Sequence, residues 1–481
     1  MRTLGILFLL FITTTSVFAQ QKQWTLRECV QYALDNNISI RQSELDVEAT
    51  DIEKMTAMGA FIPTVNASSN ISENTGLSFN PVTNNAQTTT FLSSSGRINL
   101  GYTLFDGLQN FRNIQRAELS QLASQYRLSK MKDDISLFVA NGYLQVLLNK
   151  ANLDAIQTQN AVTLEQIIRT NQLVEGGQLP RGDLLEIQAT DATEKQRIAV
   201  AENAVQISLI SLAQLLLIKD YENFDIVDEG YELVQNEVAL KTADEIIESA
   251  KQNRSEVKIA EKNVELALKD LQIAKGGYYP TVSAFFGYDT RFTNASSFTQ
   301  VIDPNNPFST QQVGVVEETG QTVVGQFPNT ISQLLQPDPF FNQLYQNDGI
   351  AYGLQVNIPI LNGFQTKANV RRNKINVQRS EFQLEQAKLD LESNVYQAYL
   401  DAEGSKKAYE AAEKSYESQE LAYQYAKDRY DVGRTNAFDF SQSKLRYDNA
   451  RIELNRSKYD YIFKVKVLEL YFGIPATELK F

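Results

Sequence analysis

The sequence predicts a mostly helical, internally duplicated chain with long coiled-coil helices and four β-strands suited to a membrane. Three observations point there. The stretch AMGAFIPTVNAS from Ala57 returns as AKGGYYPTVSAF from Ala274, a shift of 217 positions. Apolar residues recur at every seventh position within long segments that contain no proline. Four segments of about ten residues alternate apolar with polar side chains, and they lie behind an export signal.

The chain opens MRTLGILFLLFITTTSVFAQ. Arg2 supplies a positive start, Leu4 to Ile12 an apolar core, and Val17-Phe18-Ala19 a small-residue cleavage site, so residues 1–19 read as a secretory signal peptide. The apolar core is too short to span a bilayer. Gln20 rather than Cys follows, so a lipid anchor is not expected. No later stretch is expected to supply the roughly 20 apolar residues of a spanning helix, so any membrane contact falls to strands.

Composition removes several function classes. A net charge of −13 over 481 residues argues against a nucleic-acid partner. With no His and a single Cys, Cys29, the chain has no Ser-His or Cys-His nucleophile, no His metal site and no disulfide framework. No enzyme, metal or cofactor is expected. An exported hydrolase relying on carboxylates would survive this filter, but no concave acid pair suggests one. A soluble periplasmic coiled-coil scaffold or chaperone is the other alternative.

Within the repeat, TLRECVQYALDNN at Thr25 matches TADEIIESAKQNR at Thr242. From each, an amphipathic helix of about 35 residues is expected to run unbroken to Gly and then to Pro63 or Pro280, which stop it. Alternation then predicts strands near 64–73, 96–105, 281–290 and 349–359. The second strand of each pair ends in LFDGLQNFRN or ILNGFQTKAN, and there Gly107 and Gly363 align with a shift of 256. The extra residues, within roughly 291–349, read as a long extracellular loop rich in Asn, Gln, Thr and Pro. A helix of about 69 residues follows each strand pair, roughly 100 Å if unbroken. The heptads Val370, Val377, Leu384, Leu391, Ala398 and Phe438, Leu445, Ile452, Tyr459 predict a left-handed seam. Two turns end the long helices, VEGGQLPRGDLLEIQ with Gly177 and Asp183, and YDVGRTNAFDFSQSK with Gly433 and Asp439. The first repeat is thus 20–229 and the second 230–481, with 217–241 as an equatorial linker. Phe61, Phe105, Tyr278 and Tyr279 either form an interfacial aromatic girdle or pack the helix-strand elbows. Four strands cannot close a barrel, and lipid does not tolerate an open edge, so the chain must oligomerise.

In this order the duplicated motifs, closed by LELYFGIPA at Leu468, resemble the TolC-like outer-membrane efflux proteins over nearly all of the mature chain. The resemblance implies a homotrimer with a 12-stranded β-barrel in the outer membrane and a 12-helix α-barrel in the periplasm of a Gram-negative bacterium. It also implies docking to a periplasmic adaptor and an inner-membrane pump. The two turns become a periplasmic tip, with Gly177, Gly433 and Arg181 approached by the adaptor. Asp439 matches a ring-forming acid at the gate and Tyr430 a latching tyrosine; Asp183 and Arg434, which stands one position before the family's tip arginine, complete the expected constriction. The second acid of the family pattern is replaced by Gln442. For both aspartates, a carboxylate capping free N–H groups at a helix start is an equally physical role. Gly107, Gly363, Pro63 and Pro280 mark the helix-barrel junctions.

Overall fold

The structure, a computed structural model, describes residues 23–230 and 241–474. The expected signal peptide, the middle of the linker and the closing residues with Phe481 lie outside the described residues.

Each half begins with two helices, α1 (Leu26–Asn36) and α2 (Ile38–Gly59) in the first, α5 (Ala243–Asn253) and α6 (Ser255–Gly276) in the second. Thr25 and Thr242 start them with full capping boxes, their hydroxyls accepting from the N–H of Glu28 and Glu245 while those carboxylates accept from the Thr N–H. The expectation of one unbroken helix to the proline is corrected here. Asn37 and Arg254, again 217 apart, take extended backbone angles and split each helix after eleven residues. Asn37 keeps its backbone bond to the Ala33 carbonyl, while its side-chain amide donates to the distant Leu215 carbonyl and its Oδ1 caps the next helix by accepting from the Ser39 N–H. Arg254 is buried and bonds Glu256 and Asp133.

The long helices α3 (Gln109–Glu175) and α8 (Gln365–Asp431) are each 67 residues. The helices after the turns are α4 (Arg181–Leu215) and α9 (Ala437–Phe472). Val377, Leu391 and Ala398 are buried, as the heptad requires. The heptad of α9 is displaced: Phe438 is exposed, and the buried stripe near its start is Ala437, Phe440, Lys444 and Tyr447. Helix α4 corrects another expectation, for it contains an 18-residue window of mean hydropathy 1.4, long and apolar enough by those measures to cross a membrane. Here that stretch supplies Val205, Leu209, Leu212 and Ala213 to a protein core.

Two compact units result. The sheet unit comprises Glu53–Arg116 and Lys269–Lys374. Its four antiparallel strands are β2 (Thr64–Asn80), β3 (Asn85–Phe105), β5 (Thr281–Thr293) and β10 (Gly349–Asn357), in the order β10-β5-β3-β2. The expected strands are all present, and β2 and β3 extend well past their expected ends. The 291–349 segment is not a plain loop. It holds β6 (Ser297–Ile302) paired with β9 (Thr330–Leu335), β7 (Phe308–Val315) paired with β8 (Thr322–Pro328), and α7 (Phe340–Gln346). Gln343 of α7 bonds both the N–H and the carbonyl of Thr293, which ties the insertion to the end of β5.

The remaining unit is helical, with two short strands, β1 (Gln23–Trp24) and β4 (Asp225–Ile226), paired in parallel. One core surrounds Tyr143 with Cys29, Ala33, Val139, Leu147, Leu212 and Ile226. Tyr143 is fully buried, and its hydroxyl lies against the carbonyls of Trp24 and Val227, so its polar end is satisfied. Of the described residues of the expected linker, Phe224 and Ile226 are buried in this core and Ile218 packs against it. A second core joins Ile246 and Ala250 to Leu391, Val395 and Leu468.

Candidate gating site

The two turns follow one backbone recipe. At the first, the Gly177 N–H donates to the Val174 carbonyl (3.0 Å) and the Gln178 N–H to Leu173 (2.8 Å). At the second, Gly433 donates to Tyr430 (3.0 Å) and Arg434 to Arg429 (2.8 Å). Gly177 at φ +73° and Gly433 at φ +68° hold the left-handed conformation this motif needs, and no other atoms crowd them. Both, with Arg181 and Arg434, are exposed.

Neither aspartate is the helix cap. Helix α4 is preceded by Pro180, which offers no side-chain bond, and α9 by Asn436, whose Oδ1 accepts from the Asp439 N–H at 2.8 Å. Both acids stand instead in the first turn, where the helix dipole favours them. The Asp439 carboxylate is exposed and accepts from Thr435 Oγ1 at 3.4 Å. Asp183 is half-buried and close enough to Tyr430 to raise its hydroxyl pKa, a shift caused first by burial.

Tyr430 is the best anchored of the expected residues. It is 1% exposed, lies 2.8 Å from Thr170 Oγ1 of α3, and stacks on Phe440 of α9 at 5.0 Å and 15°. Beside it Arg169 of α3 pairs with Asp431 of α8 at 3.0 Å and also reaches its carbonyl. The three helices are thus fastened at their turn-proximal ends. Asp439 and Arg434 stay outside this fastening, so the structure brings Asp183 and Tyr430 together but not all four gate candidates.

Two features here escaped sequence reasoning. Tyr416, Tyr423 and Tyr430 recur every seventh residue on α8 and alternate with Tyr447 and Phe440 of α9 in a stack, Tyr423 on Tyr447 at 5.1 Å and 9°. The heptad of tyrosines was visible; its partners were not. Farther from the turns, Lys444 of α9 is 2% exposed and bonds Glu194 of α4, which also accepts from Asn160 of α3. Asp448 lies 3.6 Å from the same ammonium, and burial pushes its carboxyl up to about 6. Burial likewise pushes the Tyr423 hydroxyl up to about 12.

The chain matches the family described as Outer membrane efflux protein over residues 29–216 and 246–473. No relative among curated proteins matches it. Its fold is similar to the CmeC outer membrane channel of Campylobacter jejuni, at 14% identity and TM-score 0.73 over 93% of this chain and 85% of that one. It is also similar to the outer membrane protein VceC of Vibrio cholerae, at 14% identity and TM-score 0.70 over 93% and 96%. The open state of the MtrE outer membrane channel of Neisseria gonorrhoeae follows, at 18% identity and TM-score 0.66 over 93% and 88%.

Proposed function

Because the chain belongs to the TolC-like outer membrane efflux protein family, we propose that it is the outer-membrane channel of an export system, assembled from three copies. Three four-stranded sheets close a twelve-stranded barrel in the outer membrane, and the helices form a twelve-helix tunnel in the periplasm. Cargo enters from the periplasm or from an inner-membrane pump joined through an adaptor protein, which docks at the turns holding Gly177, Gly433 and Arg181. One observation carries this reading: a four-stranded sheet whose outer strands, β2 and β10, each leave one edge without a partner strand among the described residues. Lipid leaves an unpaired strand edge no hydrogen-bonding partner, so further strands must come from other copies.

The deciding experiment is extraction of the full-length protein from outer membranes in mild detergent, followed by mass determination and reconstitution into planar bilayers. A trimer that conducts ions is expected. A soluble periplasmic monomer with its full strand content would overturn the channel in favour of the scaffold.

At the turns, the exposed Asp439 carboxylates of three copies form an acidic ring in the closed tip. Like charges at close range repel, and bound cations relieve them. Asp439→Asn should weaken cation preference and block by a trivalent cation from the periplasmic side. Since Asn436 rather than Asp439 caps α9, thermal stability should hardly change. Unchanged block together with lowered stability would remove Asp439 from the gate.

A further inference from the structure

The two free sheet edges are related by the internal repeat, and we infer from this the residue-by-residue seam along which one copy of the chain joins the next. The inference rests on the ring assembly proposed above and deepens it by fixing the register. Strands β2 and β5 are related by the shift of 217, β3 and β10 by the shift of 256. The hairpins obey both shifts: Thr64 lies opposite Gly101, and Thr281 opposite Asn357. Inside the chain, β3 and β5 join the first repeat to the second, with Ile98 opposite Tyr288 and Leu100 opposite Phe286. The same shifts turn this join into β10 of one copy against β2 of the next. Leu354 then faces Ile71, Val356 faces Ser69, and Ile350 faces Thr75.

Three further observations agree with this register. The first is parity. It places the apolar Ile350, Tyr352, Leu354 and Val356 of β10 on the same face as Val65, Ile71 and Leu77 of β2, whereas a one-residue slip would mix the faces. The second is charge. Arg116 of α3 pairs with Asp270 of α6 at 2.6 Å, and the shifts carry these positions to Arg372 and Glu53, of the same signs and both exposed. The third is space. A Cβ on Gly276 would meet the Gln109 side chain at 2.4 Å. The equivalent residues are Gly59 and Gln365, again glycine and glutamine, yet a Cβ on Gly59 meets nothing within 4 Å of its own chain. Gly59 has no left-handed backbone to explain it. The glycine is accounted for by Gln365 of the next copy. In keeping with an uncovered seam, Ile360 and Leu361 are 93% and 86% exposed, where their counterparts Leu104 and Phe105 are 51% and 38%.

The test is disulfide trapping in the full-length protein in outer membranes, with Cys29→Ala as background. Residues directly opposite on antiparallel strands are about 4.5–5.5 Å apart between Cα atoms, within disulfide reach, whereas diagonal neighbours at about 7–8 Å are beyond it. Ile71→Cys with Leu354→Cys should give covalent multimers on oxidation, at least tenfold more than Glu73→Cys with Leu354→Cys. Stronger trapping of the displaced pair would overturn the register. Glu53→Arg should lower the trimer fraction severalfold, and adding Arg372→Glu should restore it; no restoration would remove that contact. Sizing in detergent separates the two failures. An intact trimer that traps only in another register sinks the seam alone, and absence of a trimer sinks the ring with it.

Discussion

The two turns at Gly177 and Gly433 share their backbone hydrogen bonds but not the chemistry that completes them. Asn436 caps the helix after the second turn, while Pro180 precedes the helix after the first and offers it no side-chain cap. The ends of those helices differ in the same sense. Leu217 (φ 61°) and Gly473 (φ 106°) both stand in the left-handed region, 256 positions apart, with matching bonds from the residues that follow. The duplicated chain keeps its left-handed positions at these helix ends and turns, also at Gly107 and Gly363, and lets side chains drift around them. Drift has made the halves complementary. Glu194 in the first half has Ala450 as its counterpart, and Lys444 in the second has Gln188, so the buried ion pair exists once and ties α4 to α9.

Breaking that tie should have the largest effect. Lys444→Ala leaves the Glu194 carboxylate buried without its cation and should cost about 3–5 kcal/mol in thermal unfolding of the purified protein. Lys407→Ala, which removes the exposed pair with Glu403, should leave thermal stability almost unchanged. Similar losses for both would mean that burial at Lys444 carries no weight.

Asp448 sharpens the comparison through pH, because its counterpart in the first half is the uncharged Ala192. One of its oxygens is buried without a partner, and burial raises the folded-state pKa to about 6. Between the unfolded carboxylate range near 4 and that value, the folded state binds more protons. Its contribution to stability therefore falls as pH rises through this window and stays low above it. Asp448→Asn should raise stability at pH 7 by about 1–3 kcal/mol and flatten the profile between about pH 4 and 6. A slope retained in the variant would assign it to another group.

Two smaller changes test the turns and helix ends directly. Asn436→Ala should cost about 1 kcal/mol, because it removes the side-chain cap that the first turn already lacks. Leu217→Gly should stabilise by about 0.5–1 kcal/mol, since glycine takes the left-handed conformation without steric cost. Destabilisation by Leu217→Gly would show that the leucine side chain contributes more by packing than its backbone costs.

The long-period features were legible in the sequence because they rest on local chemistry. Gly with Pro63 or Pro280 stops a helix, alternation marks a strand, and Gly177 and Gly433 sit where only a turn fits. The breaks at Asn37 and Arg254 were not legible, because no proline or glycine marks them and some of the bonds that hold them come from residues distant in sequence, Leu215 and Asp133. The capping boxes were written plainly as Thr25 with Glu28 and Thr242 with Glu245. Strands β6 to β9 were obscured by Asn- and Gln-rich composition, which reads as loop. At the candidate gate, Tyr430 could be placed on a helix, but its bond to Thr170 spans 260 positions that no local pattern connects.

The pairing of β3 with β5 carries a kinetic consequence. Ser93 must meet Thr293, and the whole of α3 and α4 is synthesised between them. Contacts between such distant positions form slowly, because the ordering of the intervening chain opposes them before they contribute any stability. The β2-β3 hairpin closes over only a few residues and forms early, as do the paired strands of the insertion. The central join is therefore a late folding step, and until it is made both hairpins present bare edges able to pair with other chains. Production of this protein should depend on factors that shield strand edges during transit, and the depletion of such factors should yield aggregates seeded by β2 and β3.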